Sequence, residues 1–149
     1  MNLRYFKEYL AEGISRKVTT NIQRAKSLIE DSNKRHIFLT QIIKSVSITD
    51  DNANYFIEEV YDILISLIRA KMFIEGYEAS GNYSHQAEVS YLRELTFSEA
   101  EINIMDEIRQ FRNGIKYYGR RYTKNEADNC LNFLNSMLPK LKKLVENVK

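Results

Sequence analysis

The chain is poor in the residues that punctuate a fold. It holds one proline, five glycines, one cysteine and no tryptophan among 149 residues. So few chain breakers exclude a sandwich of short strands joined by many turns, and they favour long helices. A single thiol, Cys130, excludes an internal disulfide. Its place in a helical pattern reads as a small buried residue rather than a nucleophile, and such cysteine usage fits a reducing, cytoplasmic setting. No apolar run approaches the ~18 residues that would cross a bilayer. The amphipathic start from Met1 to Glu8 lacks a signal-peptide core. His36 and His85 are the only histidines, and no Cys/His cluster gives zinc-site spacing. A Gly-rich phosphate loop and a Gly-x-Ser-x-Gly elbow are also missing. The carboxylates Glu58, Glu59 and Asp62, and Glu75 with Glu78, have helical spacing but no Glu-x-x-His companion. They read as solvated faces rather than a di-iron site, so no metal or other cofactor is expected.

What is present is ordinary for a globular domain: 44% hydrophobic and 28% charged residues, enough to build one real core over 1–149. No internal repeat or low-complexity segment interrupts it. A first helical region runs from about Asn2 to Val46, broken near Gly13 and near Asp31-Ser32-Asn33, with Ile22, Ala25, Leu28 and Ile29 at helical spacing. His36, Ile37, Leu39, Ile42 and Ile43 continue its apolar content. Ser47 to Asp51 supplies a cap and first-turn acids for a second helix. That helix carries Phe56, Val60, Ile63, Leu64, Leu67, Ile68 and Met72 on a broad arc, which places it centrally, and it ends between Gly76 and Gly81. A shorter helix follows from Ser84 to Leu95. Ser98 with Glu101, and Thr123 with Glu126, have capping-box spacing and open the last two helices. The first of these stops at Gly119. The second repeats Ala127, Leu131, Leu134, Leu138, Leu141, Val145 and Val148 as a heptad seam, with Pro139 inside it as a bend. The expected fold is all-α, an antiparallel helical bundle of five or six helices.

Charge is unevenly spread. Residues 1–47 hold nine basic and four acidic side chains, residues 48–108 three basic and thirteen acidic, and residues 109–124 six basic and none acidic. The net charge is only +2, so this local excess stands out. On a straight helix from Ser98, at about 100° per residue, the core stripe is Ile104, Ile108, Phe111 and Ile115, with Met105 alongside. Arg112 falls on the border of that stripe, with Arg109 and Lys116 on its side. Asn113 and Tyr117 point away, and Tyr118 returns toward the core edge. A guanidinium on a core border needs an anion or carbonyl oxygens. An internal carboxylate such as Glu58 or Glu59 would serve, and so would a phosphate. Gly114 is about 1 kcal/mol worse than alanine in a helix, which signals a close approach by another group. Tyr117, Tyr118 and Tyr122 interleave with Lys116, Arg120, Arg121 and Lys124. Single-stranded nucleic-acid binding uses that mixture, rings for bases and cations for phosphates. The other reading is that basic residues gather at a helix C-terminus because the dipole favours them there.

The run Arg112-Asn113-Gly114-Ile115-Lys116-Tyr117-Tyr118-Gly119 resembles the signature of HEPN domains. The stretch from His85 to Leu95 and the final helix with Pro139 resemble them too, closest to small stand-alone archaeal members, over about residues 48–144. The resemblance implies a helical bundle, homodimerisation, and links to RNA processing, toxin–antitoxin pairs and defence systems. Some members pair with a small nucleotidyltransferase. HEPN ribonucleases use an Arg, a polar residue often Asn and, a few residues on, a His. The Arg polarises the phosphate, and the His is acid or base for attack of the RNA 2′-hydroxyl, without metal. Arg112 and Asn113 match, whereas Tyr117 or Tyr118 stands at the place of the histidine. A tyrosine with pKa near ~10 is a poor base at neutral pH, though it can donate a hydrogen bond or act as an acid.

The leading expectation is therefore an RNA- or nucleotide-phosphate-binding protein with ribonuclease activity weak or absent. Arg112 is its phosphate ligand and Asn113 the orienting neighbour. Lys116 and Arg120 are auxiliary cations, Arg109, Arg121 and Tyr122 complete the binding surface, and Tyr117 or Tyr118 stacks or donates. The alternative is a metal-independent endoribonuclease in which Tyr117, Tyr118 or His85 replaces the usual base. A third reading is a dimerisation module joining the acidic middle to the basic flank.

Overall fold

The computed structural model describes residues 3–148. Six helices and a two-stranded sheet follow in the order α1 (Phe6–Ala11), β1 (Ser15–Lys17), α2 (Ile22–Ser45), α3 (Ala53–Glu75), β2 (Tyr77–Ala79), α4 (Ser84–Glu94), α5 (Glu99–Tyr118) and α6 (Lys124–Val145). The fold is an all-α helical bundle. None of the described helices is long and apolar enough to cross a membrane.

α3 is the centre of the bundle because its sequence is apolar on almost every side. The expected residues Phe56, Val60, Ile63, Leu64, Leu67, Ile68 and Met72 are all buried, and Ile57, Tyr61, Ile65, Ala70 and Phe73 join them. Such a helix is stable only when neighbours surround it. α2, α4, α5 and α6 all pack against it. From α6 come Ala127, Leu134, Leu138, Leu141 and Val145 of the heptad seam, plus Cys130, Phe133 and Met137. The helix runs on through Pro139, which is exposed, as is Asn135, whose carbonyl the missing N–H leaves free. Burial pushes the Cys130 thiol up to about 12, so it is a core residue and no nucleophile at neutral pH.

Both capping boxes form, Ser98 with Glu101 and Thr123 with Glu126, and Gly119 ends α5 in the left-handed conformation. Four details differ from the sequence expectation. α2 does not break at Asp31–Asn33: Ser32 turns inward and donates to the Ile63 carbonyl at 3.0 Å, while Asp31 pairs with Arg35 one turn on. The acids before α3 do not sit in its first turn, because the helix starts at Ala53. Ile104 is exposed, and Phe111 and Ile115 are only half-buried, so the α5 stripe turns toward Ile102, Met105 and Ile108. The short sheet was not expected.

That sheet pairs Arg16 with Glu78 antiparallel, each three-residue strand being too short to read by alternation. Gly76 makes it possible. Its φ is +85, and a Cβ there would lie 2.7 Å from the Val18 carbonyl oxygen, which accepts no such neighbour. The Gly76 carbonyl in turn accepts the Val18 N–H at 2.8 Å. Gly76→Ala should lower unfolding stability by about 2 kcal/mol, read as a lower urea midpoint with unchanged slope.

Candidate functional site

The basic segment after α5 is strapped to the start of α3. Asn54 is buried and bonds the loop twice: its Nδ2 donates to the Arg120 carbonyl at 2.8 Å, and its Oδ1 accepts the Tyr122 N–H at 2.9 Å. Asp50 accepts the Lys124 N–H at 2.7 Å, and the Asp51 carbonyl accepts from the Arg121 guanidinium at 2.9 Å. The acids that fail to cap α3 thus hold the basic loop instead. Tyr122 folds back onto α5, its ring 4.6 Å from that of Phe111 and its hydroxyl over Gly114. This is the close approach that Gly114 signals, since a Cβ there would also meet Arg120 Cδ at 3.1 Å. Tyr122 and Arg121 are committed to this strap and are not a free stacking surface.

The remaining sequence candidates separate. Tyr117 and Tyr118 are 67% and 75% exposed at the end of α5, and Arg120 lies 5.7 Å over the Tyr118 ring. Lys116 is exposed beside them, and Asn113 is half-buried. Arg109, by contrast, is buried and paired with buried Asp106 at 2.7 Å, while Gln110 donates to the other Asp106 oxygen at 2.9 Å. It is a structural ion pair, not part of an open binding surface.

Arg112 turns the other way from the tyrosines, into the junction of α3, α4 and α5. Its guanidinium lies 5.5 Å from the centre of the Tyr61 ring. Among the described residues it has no carboxylate partner. Glu59 is taken by Arg35 at 3.3 Å, and Glu58 forms no ion pair among them, so neither internal carboxylate considered from sequence neutralises it. Tyr61 is fully buried, and its hydroxyl meets His85 Nδ1 at 2.7 Å. Arg69 holds Glu88 in a fork, Nε at 2.6 Å and a terminal nitrogen at 2.9 Å, and Glu88 Oε1 lies 4.0 Å from His85 Nδ1.

The protonation states follow from these surroundings. Burial, and then the Glu88 charge, push the Tyr61 hydroxyl far above its ordinary value, so the phenol keeps its proton and donates to His85. Burial lowers the His85 pKa, opposed by Glu88 and reinforced by Arg69, Arg112 and Arg109. The ring is neutral at pH 7, with Nδ1 accepting and the ring proton on Nε2. Arg69 is matched by Glu88 and Arg109 by Asp106, so among the described residues Arg112 brings one unmatched positive charge to the ring of Tyr61, whose hydroxyl meets His85. A free guanidinium suits an oxyanion, for which it is a fork donor. Of the described residues, none forms a cluster fit to hold a metal ion.

Tyr61, Arg69 and Glu88 were not singled out in the sequence. Arg69 does carry a signal, a charge at the end of the apolar run Ile63 to Ile68, and Glu88 a fainter one, between Ala87 and Val89 but flanked by Gln86 and Ser90. Buried charges pair, so two of them on neighbouring helices are a readable contact. Tyr61 has no such mark among its apolar neighbours. Comparison of the chain with protein-family models, curated proteins and solved structures finds no match.

The lowered His85 pKa sets a pH dependence. The unfolded ring titrates near 6.5 and the folded ring below that, so under pH 6.5 the unfolded state binds more protons and stability falls as pH falls. His36, also lowered by burial, adds the same trend. His85→Asn should therefore flatten only part of the loss in melting temperature between about pH 6.5 and 5, and a native-like slope in that variant would contradict the assignment.

Proposed function

We propose that this bundle binds RNA, or a related phosphodiester, at the α3–α4–α5 junction, with Arg112 as the phosphate ligand. The observation that carries the reading is the Arg112 guanidinium, on the core border with no carboxylate partner among the described residues, over the Tyr61 ring whose hydroxyl meets His85. A core-border cation without an internal anion is costly unless an external one arrives. The HEPN-like run around Arg112 adds the class of ligand, RNA, and a setting in RNA processing or a toxin–antitoxin or defence system. Tyr117 and Tyr118, exposed on the opposite side of α5, are available for stacking but are not the partners of Arg112.

The Tyr61–His85 hydrogen bond favours a second reading, metal-independent cleavage in which His85 replaces the histidine missing after Arg112. The 2′-hydroxyl would attack phosphorus, its proton passing to water. With the bound phosphate favouring the imidazolium, the bond to the 5′-oxygen would break as that oxygen takes the Nε2 proton, and His85 would return to its neutral form. Tyr61 would orient the ring, and Arg112 would stabilise the charge on the phosphorane oxygens. Binding of single-stranded RNA should weaken roughly tenfold or more in Arg112→Ala, the scale of one charge-assisted contact. Unchanged affinity would sink the phosphate reading. Cleavage in EDTA that disappears in both Arg112→Ala and His85→Ala would establish the enzyme, and intact RNA in every sample would leave binding alone.

A second copy of the chain is the protein partner we infer. Phe38, Val46 and Tyr55 are 57%, 43% and 67% exposed and border one groove of about 270 Å³ between α2 and α3. A two-fold pairing of this groove would bury the exposed apolar side chains of both copies. Sedimentation should find a dimer that Phe38→Glu with Tyr55→Glu converts to monomer. A native monomer at micromolar concentration would contradict it.

A further inference from the structure

A cleft of about 300 Å³ opens where the two strands, α2 and α3 meet the start of α4. Arg16, Arg24 and Arg69 line it together with Glu78, Glu88 and Ser84. Two of the three guanidiniums are matched, Arg16 by Glu78 at 3.0 Å and Arg69 by Glu88. Arg24 is not: it is exposed, has no ion-pair partner among the described residues, and lies 5.0 Å over the ring of buried Phe73. This repeats the arrangement of Arg112 over Tyr61, an unmatched guanidinium resting on a buried aromatic of α3.

The two places are joined. Arg69 and Glu88 border the cleft and also sit beside His85, and Ser84 in the cleft precedes His85 in α4. Along α3 the anchoring positions are 61, 69 and 73, which climb one flank of the helix over roughly 18 Å at about 1.5 Å per residue. Three guanidiniums therefore follow one helix flank, with an unmatched one at each end. A mononucleotide would occupy one end only, whereas a strand with phosphates at intervals would meet both. Serine hydroxyls between the cations add donors for sugar or phosphate oxygens.

We propose that the Arg112 site continues along α3 into this cleft, so that the ligand is a single-stranded RNA several nucleotides long, with one phosphate on Arg112 and another on Arg24. This rests on reading the Arg112 site as a phosphate site. The test is fluorescence anisotropy with two labelled RNAs, a dinucleotide and one of about ten nucleotides, across a salt series. The native chain should bind the longer RNA far more tightly. Arg24→Ala should lower the salt slope for that RNA by about one, Arg24→Glu should abolish the length advantage, and Arg24→Lys should restore most of it. Arg24 is exposed on the first turn of α2, and circular dichroism verifies that each variant is folded. Equal affinity for both RNAs, or a salt slope unchanged in Arg24→Ala, would overturn the extended path while leaving the Arg112 site standing. Sensitivity to Arg24→Ala with none to Arg112→Ala would overturn the Arg112 reading and the continuous path with it. No binding of either RNA would overturn both.

Discussion

The Arg69–Glu88 pair is the interaction on which the site depends. Glu88 is almost wholly buried on α4, so its charge must be matched, and the fork from Arg69 matches it with two short bonds. Removing Arg69 would strand the buried Glu88 charge, a loss of several kcal/mol as a rule. The pair holds α4 against α3 in the register that sets His85 over Tyr61. Arg69 also takes up the Glu88 charge, and among the described residues Arg112 has no carboxylate partner. The unmatched charge at the junction is thus a consequence of how its neighbours are satisfied.

The same logic explains the uneven charge along the chain. The basic segment after α5 is not a loose patch: backbone and side-chain groups of Asp50, Asp51 and Asn54 tie it to the start of α3. Part of the contrast between the acidic middle and the basic flank is used inside the fold. What remains outward is Lys116 and Arg120 with the exposed tyrosines, and Arg112 and Arg24 on the flank of α3.

The helices were legible because their signals are local. Two capping boxes, Gly76 and Gly119, and the breadth of the α3 stripe all act within a few residues of where they appear. The β1–β2 pairing was not, since three-residue strands brought together by a glycine close approach leave no period. At the candidate site, the place of Arg112 on the border of the core was legible from helix geometry. Its partners were not, because the choice between Glu58, Glu59, a tyrosine of α5 and His85 depends on how α5 rotates against α3 and α4. The rotation that exposes Ile104 and buries Met105 and Ile108 carries Arg112 toward Tyr61, and Tyr117 and Tyr118 toward solvent.

The most direct test of the central claim is the pKa of His85 by proton NMR of the imidazole, without and with a short single-stranded RNA. A phosphate seated on Arg112 would place negative charge beside the ring and favour the imidazolium. The His85 pKa should then rise from below 6.5 toward or past it when RNA is bound, and stay low in Arg112→Ala under the same conditions. An unchanged His85 pKa at RNA concentrations that saturate the native chain would show that the phosphate binds elsewhere.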